Sequence, residues 1–213
     1  MLTETFESDR VLVKILDELQ NDYDCHSAIL YGSRARGDAN ETSDYDIIGL
    51  RDKGPNVMVA KQIEGKFSDA FVYEDTYPEK HLQEFLRVRG AKVLFQRGNH
   101  ATKLISQVEA LYRKGPVILR DDELQQRRTW IEKTYQRVLR TDIEGLYRRH
   151  MLVFNLLEDY FALRGLWYRG PKESFRYLKD NDPKAYELFE NAMAQAGDLK
   201  NLKRLCEHVA RTL

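Results

Sequence analysis

The stretch "GSRARGDANETSDYD", residues 32–46, holds the residue types and spacing that could do chemistry: Gly32-Ser33, then ten residues, then Asp44 and Asp46 two apart. On a strand, alternation would put both carboxylates on one face, with Tyr45 and Ile47 on the other. Two such charges repel, by about 1 kcal/mol in water and by several at an effective dielectric near 20, so a cation is expected between them. Mg²⁺ is the natural guest, because it prefers oxygen and is commonly held by one or two carboxylates plus substrate phosphate. Two ions could clamp the attacking and leaving oxygens of an in-line phosphoryl displacement. Gly32 and Ser33 would supply the phosphate cradle: a backbone that comes close and a hydroxyl at a helix start, with Arg34 and Arg36 adding charge. The third carboxylate is Asp69, in "FSDAFVY", where Phe67, Asp69 and Phe71 share one face and the acid interrupts an apolar stripe. If that strand lies beside the Asp44–Asp46 strand, three carboxylates converge.

The elements that must position these residues follow from periodicity. "DRVLVKILDELQ" predicts an amphipathic helix behind a cap at Ser8. "HSAILYGS", "SDYDIIGL", "GKFSDAFVY" and "AKVLFQR" predict four strands, separated by turns at Gly54-Pro55 and Gly98-Asn99 and by a helix, "EKHLQEFLRV", that stops at Gly90. "HATKLISQVEALYRK" predicts a helix ending at Gly115-Pro116. From Asp121 onward only helical periodicity remains, broken at Gly170-Pro171 and Asp182-Pro183. The expected fold is α+β: a mixed β-sheet with flanking helices over residues 1–117, then an all-α helical bundle over 118–213. Residues 1–118 carry 16 basic and 19 acidic groups, the remainder 18 and 15. An acidic sheet half beside a mildly basic helical half suits a metal–phosphate site with a helical cover.

The bulk figures bound the partners. The 213 residues are 42% hydrophobic and 32% charged, and Lys plus Arg equals Asp plus Glu at 34 each. Such a chain can bury a core and lacks the basic excess of proteins that hold nucleic acid by its phosphates, which disfavours RNA or DNA as partner. Cys25 and Cys206 have no paired spacing, which predicts reduced thiols and a cytoplasmic protein. The opening "MLTETFESDR" carries acid where a signal peptide carries base, and no apolar run reaches the roughly 20 residues that span a bilayer. The five histidines show no metal-ligand spacing and read as ordinary surface or core residues.

The Gly-Ser, ten residues, Asp-x-Asp pattern with a later acid resembles the nucleotidyltransferase superfamily that includes DNA polymerase beta, and more narrowly its minimal and antibiotic-type members. The resemblance is best over residues 25–97. It implies that Asp44 and Asp46 bind magnesium, that Gly32 and Ser33 bind the triphosphate, and that Asp69 is a metal ligand or base. In the helical half, "LWYRGPK" resembles the turn of antibiotic nucleotidyltransferases whose basic residue reaches the nucleotide phosphates, which makes Lys172 a phosphate contact. Tyr168 or Trp167 would pack on base or acceptor, with plain core as the bland reading of both. Glu158 resembles a position used as general base by aminoglycoside-modifying relatives, against a bland reading of Glu158 and Asp159 as solvated helix charges. No Arg–His pair has the spacing that HEPN ribonuclease toxins use.

The resemblance implies transfer of a nucleoside monophosphate, AMP from Mg²⁺-ATP, to a hydroxyl of a small molecule such as an aminoglycoside or of a protein side chain. It also allows a homodimer, since some relatives bury the cleft between subunits. The alternative is a catalytically silent nucleotide-binding or antitoxin-type partner protein.

Overall fold

The computed structural model describes residues 8–194 and 198–211; the opening "MLTETFE", read above for its charge, lies outside them. Two compact units divide the chain, the first ending at Lys114 and the second beginning at Gly115.

The first unit opens with α1 (Arg10–Asn21), whose cap is Asp9 and not Ser8: the Asp9 carboxylate accepts from the Leu12 backbone N–H at 3.1 Å. Its apolar face, Val11, Leu12, Ile15, Leu16 and Leu19, is buried. That face packs on one side of a sheet through Ala28, Leu30, Tyr45, Ile47, Ala70, Val72 and Leu94. At roughly 1.5–3 kcal/mol for each large aliphatic side chain buried, this contact stabilises the unit. The strands are β1 (Ser27–Tyr31), β2 (Tyr45–Arg51), β3 (Val57–Ile63), β4 (Lys66–Glu74) and β5 (Lys92–Gln96), in the order β3-β4-β2-β1-β5. All pairs are antiparallel except β2–β4, so the sheet is mixed, as expected.

Five strands form where four were expected. The extra one, β3, is an edge strand joined to β4 by a two-residue turn at Glu64-Gly65, whose φ angles of 50° and 78° match the twist of a tight hairpin. Between β1 and β2 lies α2 (Gly32–Arg36), little more than one turn. Between β4 and β5 come a short helix α3 (Tyr77–Lys80) and a 3₁₀ helix over Leu82–Val88. Thus "EKHLQEFLRV" does not make one α-helix; the chain is wound tighter to seat Phe85, Leu86 and Val88, all buried. That segment and α4 (His100–Lys114) pack on each other and on β1, covering the second face of the sheet.

The second unit is helical: α5 (Asp121–Val138), α6 (Ile143–Leu163), α7 (Pro171–Asn181), α8 (Pro183–Ala194) and α9 (Leu199–Ala210). Prolines open α7 and α8, where a missing N–H costs nothing. Its core gathers Ile131, Leu152, Leu156, Phe189, Leu202 and Leu205 around α6. Tyr168 packs against this core, with its ring centroid 6.2 Å from that of Phe161, and Trp167 is half-buried. Among the described residues no helix is long and apolar enough to cross a membrane. Both cysteines are free and buried, and burial pushes each thiol up to about 12.

Candidate active site at the Gly32 end of the sheet

The parallel pairing of β2 with β4 puts Asp46 and Asp69 in the same register. In β4, Ser68, Ala70 and Val72 are buried against α1, whereas Phe67, Asp69 and Phe71 look the other way. The stripe that Asp69 interrupts is therefore not the core face; Phe67 on it is 62% exposed. An acid there needs no buried partner, which is why the strand tolerates it.

Antiparallel pairing of β1 with β2 sets Tyr31 opposite Asp46, so the residue after Tyr31 lies over that carboxylate. A Cβ on Gly32 would stand 2.0 Å from Asp46 Oδ2, and Gly32 has φ +71°. Only glycine meets both conditions. Ser33 follows, 5% exposed, and its carbonyl accepts from the N–H groups of Gly37 and Asp38 as α2 closes.

Asp44 stands one residue before β2 begins and so outside the ladder that holds Asp46. Arg34 holds its backbone: Nε donates to the Asp44 carbonyl at 3.0 Å and a terminal nitrogen to the Ser43 carbonyl at 2.7 Å. The same guanidinium lies 3.8 Å over the Tyr45 ring. Arg34, expected beside the phosphates, is thus engaged as a brace of the loop that carries Asp44. Tyr45 points into the core and donates its hydroxyl to both oxygens of Asp9, at 3.0 and 2.8 Å. Helix cap, core strand and site loop are one connected structure.

Arg87 adds a cation to the site face. Arg87, from the 3₁₀ helix, donates to the Tyr73 hydroxyl at 2.7 Å and lies 4.5 Å over the Phe71 ring and 5.6 Å over the Tyr31 ring. Its Nε is buried with no hydrogen-bond partner. Burial pushes the Tyr31 phenol well above its usual range; Arg87 opposes that shift, and Asp46 and Asp69 add to it. The only sequence signal for Arg87 is a basic residue between two apolar ones in a segment that must cover the sheet.

Lys172 and Glu158 belong to the second unit. Lys172 is exposed at the second position of α7, and Glu158 is exposed on α6, near Arg127, Trp130 and Asn155. Its neighbour Asp159 is not a solvated charge: it is 5% exposed and ion-paired with Arg127. Burial raises its carboxyl above the ordinary range and Arg127 partly opposes that.

Residues 13–89 match the family model described as Polymerase beta, Nucleotidyltransferase. The chain is also similar to the crystal structure of a nucleotidyltransferase-like protein from Exiguobacterium sibiricum, at 13% identity and a TM-score of 0.47, over 94% of this chain and 73% of that one. No curated protein matches it. The family match runs from α1 to the 3₁₀ helix and contains Gly32, Ser33, Asp44, Asp46, Asp69 and Arg87. Over residues 13–89 the chain is therefore similar to the nucleotidyltransferases of the polymerase beta family.

Proposed function

We propose that the chain transfers a nucleoside monophosphate, AMP from Mg²⁺-ATP, to a hydroxyl acceptor and releases pyrophosphate. The observation that carries this reading is the in-register Asp46–Asp69 pair beneath a glycine that leaves no room for a side chain. The donor set is carboxylate oxygen throughout, which suits a hard ion, and Asp44, Asp46 and Asp69 are the residues that would hold two Mg²⁺. When bound, Mg²⁺ neutralises phosphate charge and orients the reacting oxygens.

The chain's own residues supply the rest. Gly32 lacks the Cβ that would displace the Asp46 carboxylate and brings its backbone to the triphosphate, and Ser33 offers its hydroxyl and backbone beside it. Arg34 fixes the loop of Asp44. Asp69 takes the proton from the attacking hydroxyl, with Glu158 of the helical unit as the alternative base. Lys172 contacts the nucleotide phosphates. The acceptor is a hydroxyl of a small molecule such as an aminoglycoside, or of a protein side chain. A homodimer is compatible with this reading, and the two free thiols suit the reducing cytoplasm.

The test is a thermal-shift titration with each nucleoside triphosphate, in Mg²⁺ and in EDTA. Ligand at a hundred times its dissociation constant stabilises the fold by about 2.7 kcal/mol. A shift that needs Mg²⁺ and disappears in Asp44→Ala supports the donor site, and the nucleotide giving it names the base. A shift unaffected by Asp44→Ala, or none in folded protein, overturns the assignment. Saturable binding with no pyrophosphate released against any acceptor would identify a silent partner protein.

A further inference from the structure

At the opposite end of the same sheet, three residues that sequence spacing leaves unrelated come together. His26 immediately precedes β1, Asp75 immediately follows β4, and His100 is the first residue of α4. His26 Nε2 lies 3.0 Å from Asp75 Oδ2, and His100 Nδ1 lies 2.8 Å from the same oxygen. All three donor atoms fall within 4.8 Å of one another, and among the described residues no other trio of His, Cys, Asp or Glu meets that criterion. From Asp69 to Glu74 alone β4 runs five residues, roughly 16 Å, so this cluster is separate from the carboxylate end.

We propose that His26, Asp75 and His100 form a binding site for a divalent transition ion of the Zn²⁺ type. A tetrahedral ion with bonds of roughly 2.0–2.2 Å sets its ligand atoms about 3.3–3.6 Å apart, so the two contacts to Asp75 need open by only about half an ångström. Two imidazoles and one carboxylate favour Zn²⁺ over Mg²⁺, which prefers oxygen alone. The ring of His26 is already held at its far side: Nδ1 lies 2.9 Å from the Ser27 hydroxyl, which accepts the Arg97 backbone N–H at 3.3 Å. Zinc-ligating histidines are oriented through their other nitrogen in this way.

Access and charge agree. The His26 side chain is 8% exposed, Asp75 22% and His100 39%, and Asp75 and His100 line a cleft of about 130 Å³ from which a fourth ligand, water, can reach the ion. The cations beside it are matched: Arg97 forks onto Asp52, and Lys103 pairs with Glu79 at 3.2 Å. An ion here would tie the start of β1, the end of β4 and the start of α4, segments 49 residues apart in the case of His26 and Asp75. The site is independent of the nucleotide reading.

The experiment uses tag-free, chelator-stripped, full-length protein. Zn²⁺ is titrated by calorimetry and Co²⁺ by its visible absorption. The expected result is one Zn²⁺ per chain, the intense bands of tetrahedral Co²⁺, and a higher melting temperature in Zn²⁺. His100→Gln and Asp75→Asn, shown folded by circular dichroism, should each weaken binding by at least about a hundredfold, while Asp69→Asn keeps it. No Zn²⁺ binding by folded wild type, undiminished binding in both His100→Gln and Asp75→Asn, or loss in Asp69→Asn alone would overturn the site. A failed nucleotide titration leaves these outcomes unchanged.

Discussion

Asp46 on β2 and Asp69 on β4 stand on the same rung of a parallel ladder. Like charges placed directly opposite on a sheet destabilise it by roughly 0.2–1 kcal/mol, and this pair spends that energy on no core contact. The arrangement is costly to the fold, and a cation bound beside it would offset that cost.

Asp69→Asn separates the two roles. Unfolding in urea should show a stability unchanged or raised by up to about 1 kcal/mol, because the variant removes one of two facing charges. Mg²⁺-dependent pyrophosphate release should fall by more than about a hundredfold. A clearly destabilised variant would mean that Asp69 serves the fold.

Gly32→Ala meets two penalties at once. The left-handed backbone costs an L-residue roughly 1–2 kcal/mol, and the new methyl would occupy the place of Asp46 Oδ2, 2.0 Å away. Asp46 must move, so nucleotide turnover should be lost. A chemical denaturation curve and a nucleotide titration on the same sample check both parts; Gly37, where an added Cβ meets nothing within 4 Å, is the control.

Arg34→Lys distinguishes a brace from a phosphate contact. Lysine keeps the charge but cannot donate to the Ser43 and Asp44 carbonyls together or stack flat on Tyr45. Steady-state kinetics should show kcat falling about tenfold or more with KM for the nucleotide nearly unchanged. A rise in KM alone would put the guanidinium on the phosphates.

Tyr45 gives an alkaline signature. Burial, and next the hydrogen bond to Asp9, push its phenol from 10 up to about 12. Below pH 10 it is neutral in both folded and unfolded chains. Above that the unfolded chain ionises first, so the stability is lost as pH rises from 10 through 12, on the order of 2–3 kcal/mol in full. Tyr45→Phe should cost about 1–2 kcal/mol at neutral pH through the lost bonds to Asp9, and its deficit relative to wild type should shrink across pH 10–12. Paired urea melts at each pH measure the difference, in which the other tyrosines cancel.

What could be read in the sequence was what is local. The helix of Val11 to Leu19, the strands of Ala28 to Tyr31 and Tyr45 to Leu50, and the Gly-Ser and Asp-x-Asp spacing are patterns within a few residues, and each is present. Strand β3 was missed because an edge strand pairs on one side only; Ala60, Lys61 and Gln62 face water and blur its alternation. The polarity of β4 is hidden for a related reason: its buried face is made of small residues, Ser68, Ala70 and Val72, and Phe67 and Phe71 lie on the more open side. Arg87 and the His26–Asp75–His100 cluster depend on contacts across the sheet, which no spacing rule contains.

The hairpin of β3 and β4 has one more consequence, in time. Its two-residue turn at Glu64-Gly65 closes a contact between neighbours in sequence, whereas the β2–β4 pairing must span the whole of β3. Hairpins of this kind form in microseconds, and pairings between distant segments wait on larger loop closures. Asp69 should therefore arrive already mounted on a finished hairpin, with its face decided before it meets Asp46. The strand with the least chemistry sets when the site comes into existence, and loosening the Glu64-Gly65 turn should slow that arrival while leaving every carboxylate in the chain.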